Sequence, residues 1–325
     1  MHCCTFDGSS ADATATEKIR RATLEKIQRD KLVDMLKTLD ALHDLPEIDI
    51  NDLEKLSIIR GPMLDVDNWA SLLPNEFHTR FFMPFDWPQD WLEYEAWSTC
   101  DFWMRMDHLD LHQTCNLHFQ KCRAKWLSAR LSQLNNVDPE IWDIYTSGYC
   151  DLLERAGLRL PCRSFHRRKM FPYHEYSGHW GYLAKLDTDR PHAACLMLDS
   201  GENITSDVLL RSEVAASICM SQYQLKHGFF INHHTKPILI TTLFRDQKAR
   251  FTQAHFDSKQ NKLMLRQSRL LDLSGARPGA DAWLTIRWMA CTPVGETRYP
   301  RALDNAEGNS HARASLPPSI MVVSS

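Results

Sequence analysis

The N-terminal quarter of the chain shows apolar residues at helical spacing. Between Leu24 and Leu42 they approximate one face of a helix that begins at Glu17, with Thr16 as its N-cap, while the opposite face is densely charged. A second helix is predicted over 51–61, "NDLEKLSIIRG". We expect this helical pair to pack on the rest of the chain. A protein partner on the same helices is the alternative.

The middle of the chain is rich in aromatic residues and then in loop signals. Residues 62–145 hold seven of the ten tryptophans, which predicts a buried aromatic layer. The stretch 91–134 lacks proline and glycine and predicts one or two long helices. The motif "VDPE" at 137–140 fits a further helix start, and residues 146–206 read as loop-rich.

The pattern changes again after residue 206. A wide apolar arc predicts a largely buried helix over 208–228. Three β-type runs follow at 238–244, 249–257 and 263–271, joined by the polar links "RDQK" and "SKQN". This spacing is typical of an antiparallel meander with turns near 245–248 and 258–261. A final helix is predicted over 281–291.

These elements predict an α+β fold. An N-terminal helical, tryptophan-rich region packs with a C-terminal three-stranded antiparallel meander that is flanked by helices. The expected divisions are a disordered tail at 1–16, a helical region at 17–150, an α+β module at 151–298 and a second disordered tail at 299–325.

Composition narrows the class of protein. With 325 residues, 43% of them hydrophobic, the chain has enough apolar surface for a core, and its formal charge of −3 gives no general attraction to nucleic acid or anionic lipid. We expect no signal peptide and no membrane span. Ten cysteines without a CxxC pair predict reduced thiols in the cytoplasm or nucleus.

Histidines and cysteines concentrate in "MDHLDLHQTCNLHFQKC", residues 106–122. On a helix, His108 and His112 lie one turn apart, a spacing that can chelate a metal ion. However, His108 and Cys122 would be about 21 Å apart along the axis, so one helix cannot close a site. Packing explains the same residues, and we expect no metal here and no cofactor.

Residues 159–182 combine basic and aromatic side chains, a composition that can bind nucleic acid. The candidate phosphate contacts are Arg163, Arg167, Arg168 and Lys169. So short a basic cluster is more typical of a solvated loop. Nucleic acid is therefore not the expected partner.

Residues 223–273, together with "CTPVGET" at 291–297, resemble a group of uncharacterised proteins from filamentous fungi. The similar positions are Pro237-Ile-Leu, Ala249-Arg250, Gln253-Ala254-His255, Leu263, Leu265-Arg266, Leu270 to Asp272 and Pro293-Val294-Gly295. The resemblance implies a fungal intracellular protein and carries over no catalytic residue.

The order helix, three strands, helix is similar to the opening of the PD-(D/E)xK nuclease core. That resemblance implies metal ligands from Glu213, Asp257 and Gln267, with Arg269 where lysine is expected. Arginine stays protonated and cannot act as a general base, so the set is degenerate.

We therefore expect a non-catalytic binding module. The alternatives are a diverged metal-dependent nuclease or an accessory metabolic enzyme. Convergence of the four nuclease-like side chains in one open pocket would favour the nuclease, and separate, satisfied side chains would favour binding.

Overall fold

The structure is a computed structural model. It describes residues 9–42, 46–69, 80–86, 142–145, 168–170, 174–184, 190–201, 203–226, 228, 230–274 and 279–299.

The described residues form four helices and thirteen strands. The helices are α1 (Ser9–Ala41), α2 (Ile50–Lys55), α3 (Arg211–Lys226) and α4 (Ala280–Met289). The strands are β1 (Glu47–Ile48), β2 (Ile58–Arg60), β3 (Phe82–Met83), β4 (Trp142–Tyr145), β5 (Arg168–Met170), β6 (His174–Ala184), β7 (Ala193–Asp199), β8 (Leu209–Leu210), β9 (Ile238–Phe244), β10 (Lys248–Asp257), β11 (Lys262–Gln267), β12 (Leu271–Asp272) and β13 (Thr292–Pro293).

A mixed sheet of nine strands forms the centre of the fold. Its main order is β2-β11-β10-β9-β7-β6-β4, with β12 beside β10 and β5 beside β6. Two neighbouring pairs are parallel, β7 with β9 and β2 with β11, and the other pairs are antiparallel. The mixed sheet and its helices confirm the predicted α+β class.

Each face of the sheet at strands β7, β9, β10 and β11 is covered by its own apolar layer. On one face, alternate residues such as Cys195, Ile240 and Leu265 pack with α1 and α3. On the other face, residues such as Leu196 and Phe251 pack with α4 and with segments around positions 64–66 and 81–82. Because both faces are covered, β7 and β9 are buried along their whole length.

Helix α1 is fixed to the body by polar contacts as well as by apolar packing. Lys236 Nζ lies 2.8 Å from Glu25 Oε1, and both side chains are nearly buried. The Arg21 guanidinium donates to Asn232 Oδ1 at 3.1 Å and lies over the ring of Tyr299. These contacts attach α1 to the segments that follow α3 and α4.

The three C-terminal runs pair as antiparallel neighbours in the order β9-β10-β11. Gln247 and Asn261 take positive φ angles of 59° and 54° in the two connecting links. The predicted meander is part of a larger sheet, which the sequence analysis does not predict. Strand β7 extends the sheet on one side and β2 on the other, so the strands belong to a nine-stranded sheet.

Three predicted helices have different bounds. Helix α1 begins at Ser9 and not at Glu17. Asp49 caps α2 by accepting from the backbone N–H of Asn51 at 2.7 Å, and the helix ends at Lys55 because β-branched residues then form β2 beside β11. Helix α3 starts at Arg211, since the two residues before it form β8 and pair with β1.

The region predicted to be helical and then loop-rich contains strands. Residues 142–145 form β4, where the "VDPE" motif predicted a helix, and β5, β6 and β7 lie within the predicted loops. Strand β4 pairs with β6 across the predicted boundary at 150/151. The missed strand β6 carries Gly178 and Gly181 and several polar residues, which weaken the alternation expected of a strand.

Several predictions lie outside the described residues. They are the helices over 91–134, the His108–Cys122 cluster, the side chains of Arg163 and Arg167, and residues 300–325 of the tail. Among the described helices, none is long and apolar enough to cross a membrane.

Candidate functional site

A fully buried carboxylate, Glu213, lies at the start of α3 beneath the sheet. Its Oε1 accepts from Arg250 Nε and Thr252 Oγ1, each at 2.9 Å. Its Oε2 accepts from an Arg250 terminal nitrogen at 2.7 Å, from Gln267 Nε2 at 2.9 Å and from the Leu210 backbone N–H at 3.1 Å. Five donors therefore surround one carboxylate, and we call this group the Glu213 network.

The strand pattern brings these partners together. Arg250 and Thr252 are two residues apart on β10, so they project from the same face of the sheet. Gln267 is paired with Thr252 across the β10–β11 ladder and completes the set. Glu213 is in the first turn of α3, where the positive end of the helix dipole favours a negative charge.

The Glu213 network leaves its carboxylate little capacity for new ligands. A carboxylate offers about four lone-pair sites, and the five donors already occupy them. Arg250 in turn donates to the Thr205 backbone oxygen at 3.2 Å and lies over the ring of Phe244. The arrangement is a satisfied buried ion pair that fixes α3 on the sheet.

The four residues implied by the nuclease resemblance do not converge. Glu213 and Gln267 are hydrogen-bonded to each other. Asp257 lies five residues beyond Thr252 on β10, which separates them by roughly 16 Å of extended chain. There it closes a turn by accepting from the backbone N–H groups of Lys259 at 2.8 Å and Gln260 at 3.3 Å.

Arg269 is also engaged away from the Glu213 network. Its guanidinium lies 2.7 Å from Asp67 and 2.7 Å from Asp281. These carboxylates raise the pKa of Arg269 further above its ordinary range, and the hydrogen bonds that Arg269 donates to Asp281 are the largest cause. The residue therefore joins α4 to the segment after β2. Of the basic candidates, Arg168 and Lys169 lie on β5.

A pocket of about 320 Å³ lies beside the Glu213 network. We call it the Gln267 pocket. Its lining residues are Arg60, Gly61, Met63, Ser206, Asp207 and Gln267. Arg60 bridges two walls, because its guanidinium donates to the backbone oxygens of Ser206, at 2.9 Å, and of Asp207. The pocket therefore lies between the end of β2, the end of β11 and the loop before β8.

The amide of Gln267 belongs to the Glu213 network. Its Nε2 donates both hydrogens, to Glu213 Oε2 at 2.9 Å and to the Val208 backbone oxygen at 3.1 Å. The amide cannot be flipped, because a flip would set its oxygen against two acceptors. Gln267 is 3% exposed, and its Oε1 receives no hydrogen bond from the described residues.

A second polar cluster surrounds Asp199 at the carboxyl end of β7. Ser212 Oγ donates to Asp199 Oδ2 at 2.5 Å, the Gly201 N–H donates to Oδ1 at 2.8 Å, and His174 Nε2 lies 3.1 Å from Oδ1. Serine and histidine thus both contact the aspartate, which differs from a Ser–His–Asp relay. Sequence reasoning missed this cluster because it missed β6 and β7, whose ends position His174 and Asp199.

His192 is a buried histidine beside residues 292–295, and its burial keeps the imidazole ring uncharged. It is 3% exposed, and its Nε2 lies 3.0 Å from the Val294 backbone oxygen. Burial lowers the pKa of His192 from 6.5 to about 4, so the ring is neutral at pH 7. It therefore contributes a neutral hydrogen bond to the attachment of residues 292–295.

The described ranges contain no group of three or more His, Cys, Asp or Glu side chains arranged to hold a metal ion. Glu213 and Asp257, the two carboxylates implied as metal ligands by the nuclease resemblance, are both bonded to protein donors. No protein-family model matches the chain, and no curated protein or solved structure is similar to it.

Proposed function

We propose that this protein is a non-catalytic binding module whose ligand occupies the Gln267 pocket. The observation that carries the proposal is the pocket of about 320 Å³, whose lining combines polar and apolar side chains. Met63 offers an exposed apolar side chain, and the charged side chains of Arg60 and Asp207 belong to the same lining. A concave site that joins an apolar wall to a few polar groups is typical of small-molecule binding.

The Glu213 network supports binding over phosphodiester cleavage. Metal-assisted cleavage needs carboxylate oxygens that can hold an ion and orient water. The oxygens of Glu213 accept from five protein donors, and Asp257 caps a turn. Neither carboxylate is presented to the pocket, whose lining includes only Gln267 from the nuclease-like set.

The proposed setting is intracellular, and it is supported by the resemblance of residues 223–297 to filamentous-fungal proteins. A protein partner on α1 stays a prediction. Ile19 and Ile27 support it, because they are 69% and 52% exposed on that helix.

A fragment screen by ligand-observed NMR tests the proposal. Met63 is 63% exposed at the pocket, so Met63→Trp should fold and fill the space. We expect fragments that bind the wild-type protein and are lost from Met63→Trp. The matched control is Ile19→Trp, which adds the same ring at an exposed position on α1 and should bind as the wild type does. Fragments that bind Met63→Trp equally well would overturn the pocket assignment.

A cleavage assay tests the nuclease alternative. Plasmid and single-stranded oligonucleotides are incubated with the protein and Mg²⁺ or Mn²⁺, and we expect no cleavage. Asp257→Ala is the informative control because Asp257 lies at a turn and the variant should fold. Metal-dependent cleavage that Asp257→Ala abolishes would replace the binding module with an enzyme.

A further inference from the structure

Helix α1 carries a threonine in a sequence pattern that basic-directed protein kinases bind. Arg20 and Arg21 stand three and two positions before Thr23 in the segment "RRATL", and an apolar residue follows the threonine. The other Arg-Arg pair of the chain, at 167–168, has Met170 in the corresponding position, so Thr23 is the one hydroxyl residue placed in this way. Two guanidinium groups at this spacing complement carboxylates in the substrate groove of such a kinase.

The Thr23 side chain lies on the exposed side of α1. Its hydroxyl donates to the Ile19 backbone oxygen at 3.0 Å, within the same helix, and the residue is exposed. Ile19 and Ile27, four residues before and after it, are 69% and 52% exposed. A kinase therefore reaches the hydroxyl oxygen without displacing a buried side chain.

The part of α1 around Thr23 can open without uncovering the core. A kinase binds its substrate as an extended chain, so about two turns of helix must open first. Of the described side chains at 15–24 none is buried, and the first buried apolar side chain of α1 is Leu32, nine residues beyond Thr23. The end of a helix that buries no apolar side chain opens at little cost in free energy.

The two arginines are held by contacts that a kinase can replace. Arg20 pairs with Glu17 at 2.9 Å, and its side chain is 65% exposed. Arg21 pairs with the same carboxylate at 3.0 Å, donates to Asn232 and lies over the ring of Tyr299. Ion pairs at exposed positions contribute little to stability, and the carboxylates of the kinase bind both guanidinium groups once the segment has opened.

We propose that Thr23 is a phosphorylation site for a protein kinase that binds two arginines on the N-terminal side of its target. The Thr23 hydroxyl oxygen forms a bond to the γ-phosphorus of Mg²⁺-bound ATP, the bond from that phosphorus to the oxygen of ADP breaks, and the hydroxyl proton passes to the aspartate base of the kinase. Arg20 and Lys26, three residues away on either side, are exposed and flank the phosphate on the helix. Phosphorylation therefore places a charge of about −1.5 to −2 at the centre of the exposed face of α1. The site lies on α1 and not at the Gln267 pocket, so it does not depend on the proposed binding function.

A kinase assay on the full chain tests the proposal. The protein is incubated with Mg²⁺-ATP and the catalytic subunit of cyclic-AMP-dependent protein kinase, and the phosphorylated residue is located by peptide mass spectrometry. We expect phosphate on Thr23, and Thr23→Ala should lose that phosphate. The matched control is Thr38→Ala, because Thr38 donates to the Asp34 backbone oxygen of the same helix at 2.9 Å but has no arginine among the three residues before it. This control should incorporate phosphate as the wild type does.

Two charge variants test the recognition itself. Arg20→Gln removes a guanidinium three positions before Thr23 and should lower the initial rate at least about tenfold, because a charge-assisted pair with the kinase is lost. Lys26→Gln removes the same charge three positions after Thr23 and should leave the rate near that of the wild type, and circular dichroism checks that both variants keep the fold. No phosphate on Thr23 of the wild type, unchanged incorporation in Thr23→Ala, or equal rates in Arg20→Gln and Lys26→Gln would overturn the proposal.

Discussion

Replacement of Glu213 by glutamine removes one buried charge and almost no volume. In the wild-type protein Glu213 and Arg250 are both fully buried, and two hydrogen bonds of 2.9 and 2.7 Å join them. In Glu213→Gln the guanidinium stays charged, because arginine does not deprotonate in proteins. A buried charge that loses its partner costs about 3–5 kcal/mol, a large part of a typical unfolding free energy of about 5–15 kcal/mol.

Urea unfolding followed by circular dichroism measures this cost. We expect the midpoint to fall with little change in the slope, because the unfolded chain exposes the same surface. Asp257→Asn removes the charge of the Asp257 turn and should cost less than about 1 kcal/mol. The double variant Glu213→Leu/Arg250→Met should recover part of the loss, since it removes both charges together. A loss below about 1 kcal/mol in Glu213→Gln would refute the argument that this pair fixes α3.

Three further predictions concern His192 and two glycines. The pKa of His192 is about 4 in the folded protein and about 6.5 in the unfolded chain, so its contribution is complete above pH 6.5 and is lost as the pH falls towards 4. The loss is about 3 kcal/mol, and His192→Gln should show a shallower fall in urea stability between pH 6.5 and 4.5. Gly295 has φ +83°, and a Cβ would lie 2.7 Å from the Arg80 backbone oxygen, so Gly295→Ala should lose about 1–3 kcal/mol in the same unfolding assay. Gly279 is the N-cap residue of α4, with a φ of −83°, and a Cβ added there would meet no atom within 4 Å. Gly279→Ser should therefore raise the melting temperature slightly, because serine can cap the helix with its hydroxyl oxygen. An unchanged melting temperature would contradict the capping argument.

The sequence predicts where single helices and strands lie better than it predicts which strands pair with each other. The runs 238–244 and 249–257 match β9 and β10 closely, because polar links separate runs of β-branched and aromatic residues. Pairing over long distances leaves no such local signal. The three residues of β2 continue from α2 without proline or glycine, and their strand conformation depends on β11, about 200 residues later.

In the candidate site, too, the sequence identifies individual residues but not the contacts between them. Glu213 and Gln267 were identified as candidate site residues, but as metal ligands. Arg250, which determines their role, lies 37 positions beyond Glu213. One signal was available: Arg250 and Thr252 alternate with Phe251 on a strand, so a buried strand had to hold two polar side chains on one face. Buried polar groups need partners, and a buried Glu213 on the preceding helix is a suitable one.

The parallel pairing of β2 with β11 has a consequence for synthesis of the chain. Ile58 pairs with Leu263, 205 residues further on. At roughly 5–20 residues per second, β2 waits about 10–40 s on the ribosome before its partner strand is made. Helix α1 waits a similar time for α3, because its buried face packs on residues that follow position 209. The N-terminal segment therefore leaves the ribosome with apolar side chains such as Leu32 and Leu39 exposed to solvent. The sheet is completed beside it only when β9 to β11 have been synthesised. Nascent chains stalled before β11 should bind hydrophobic-surface chaperones, and chains stalled after residue 299 should release them.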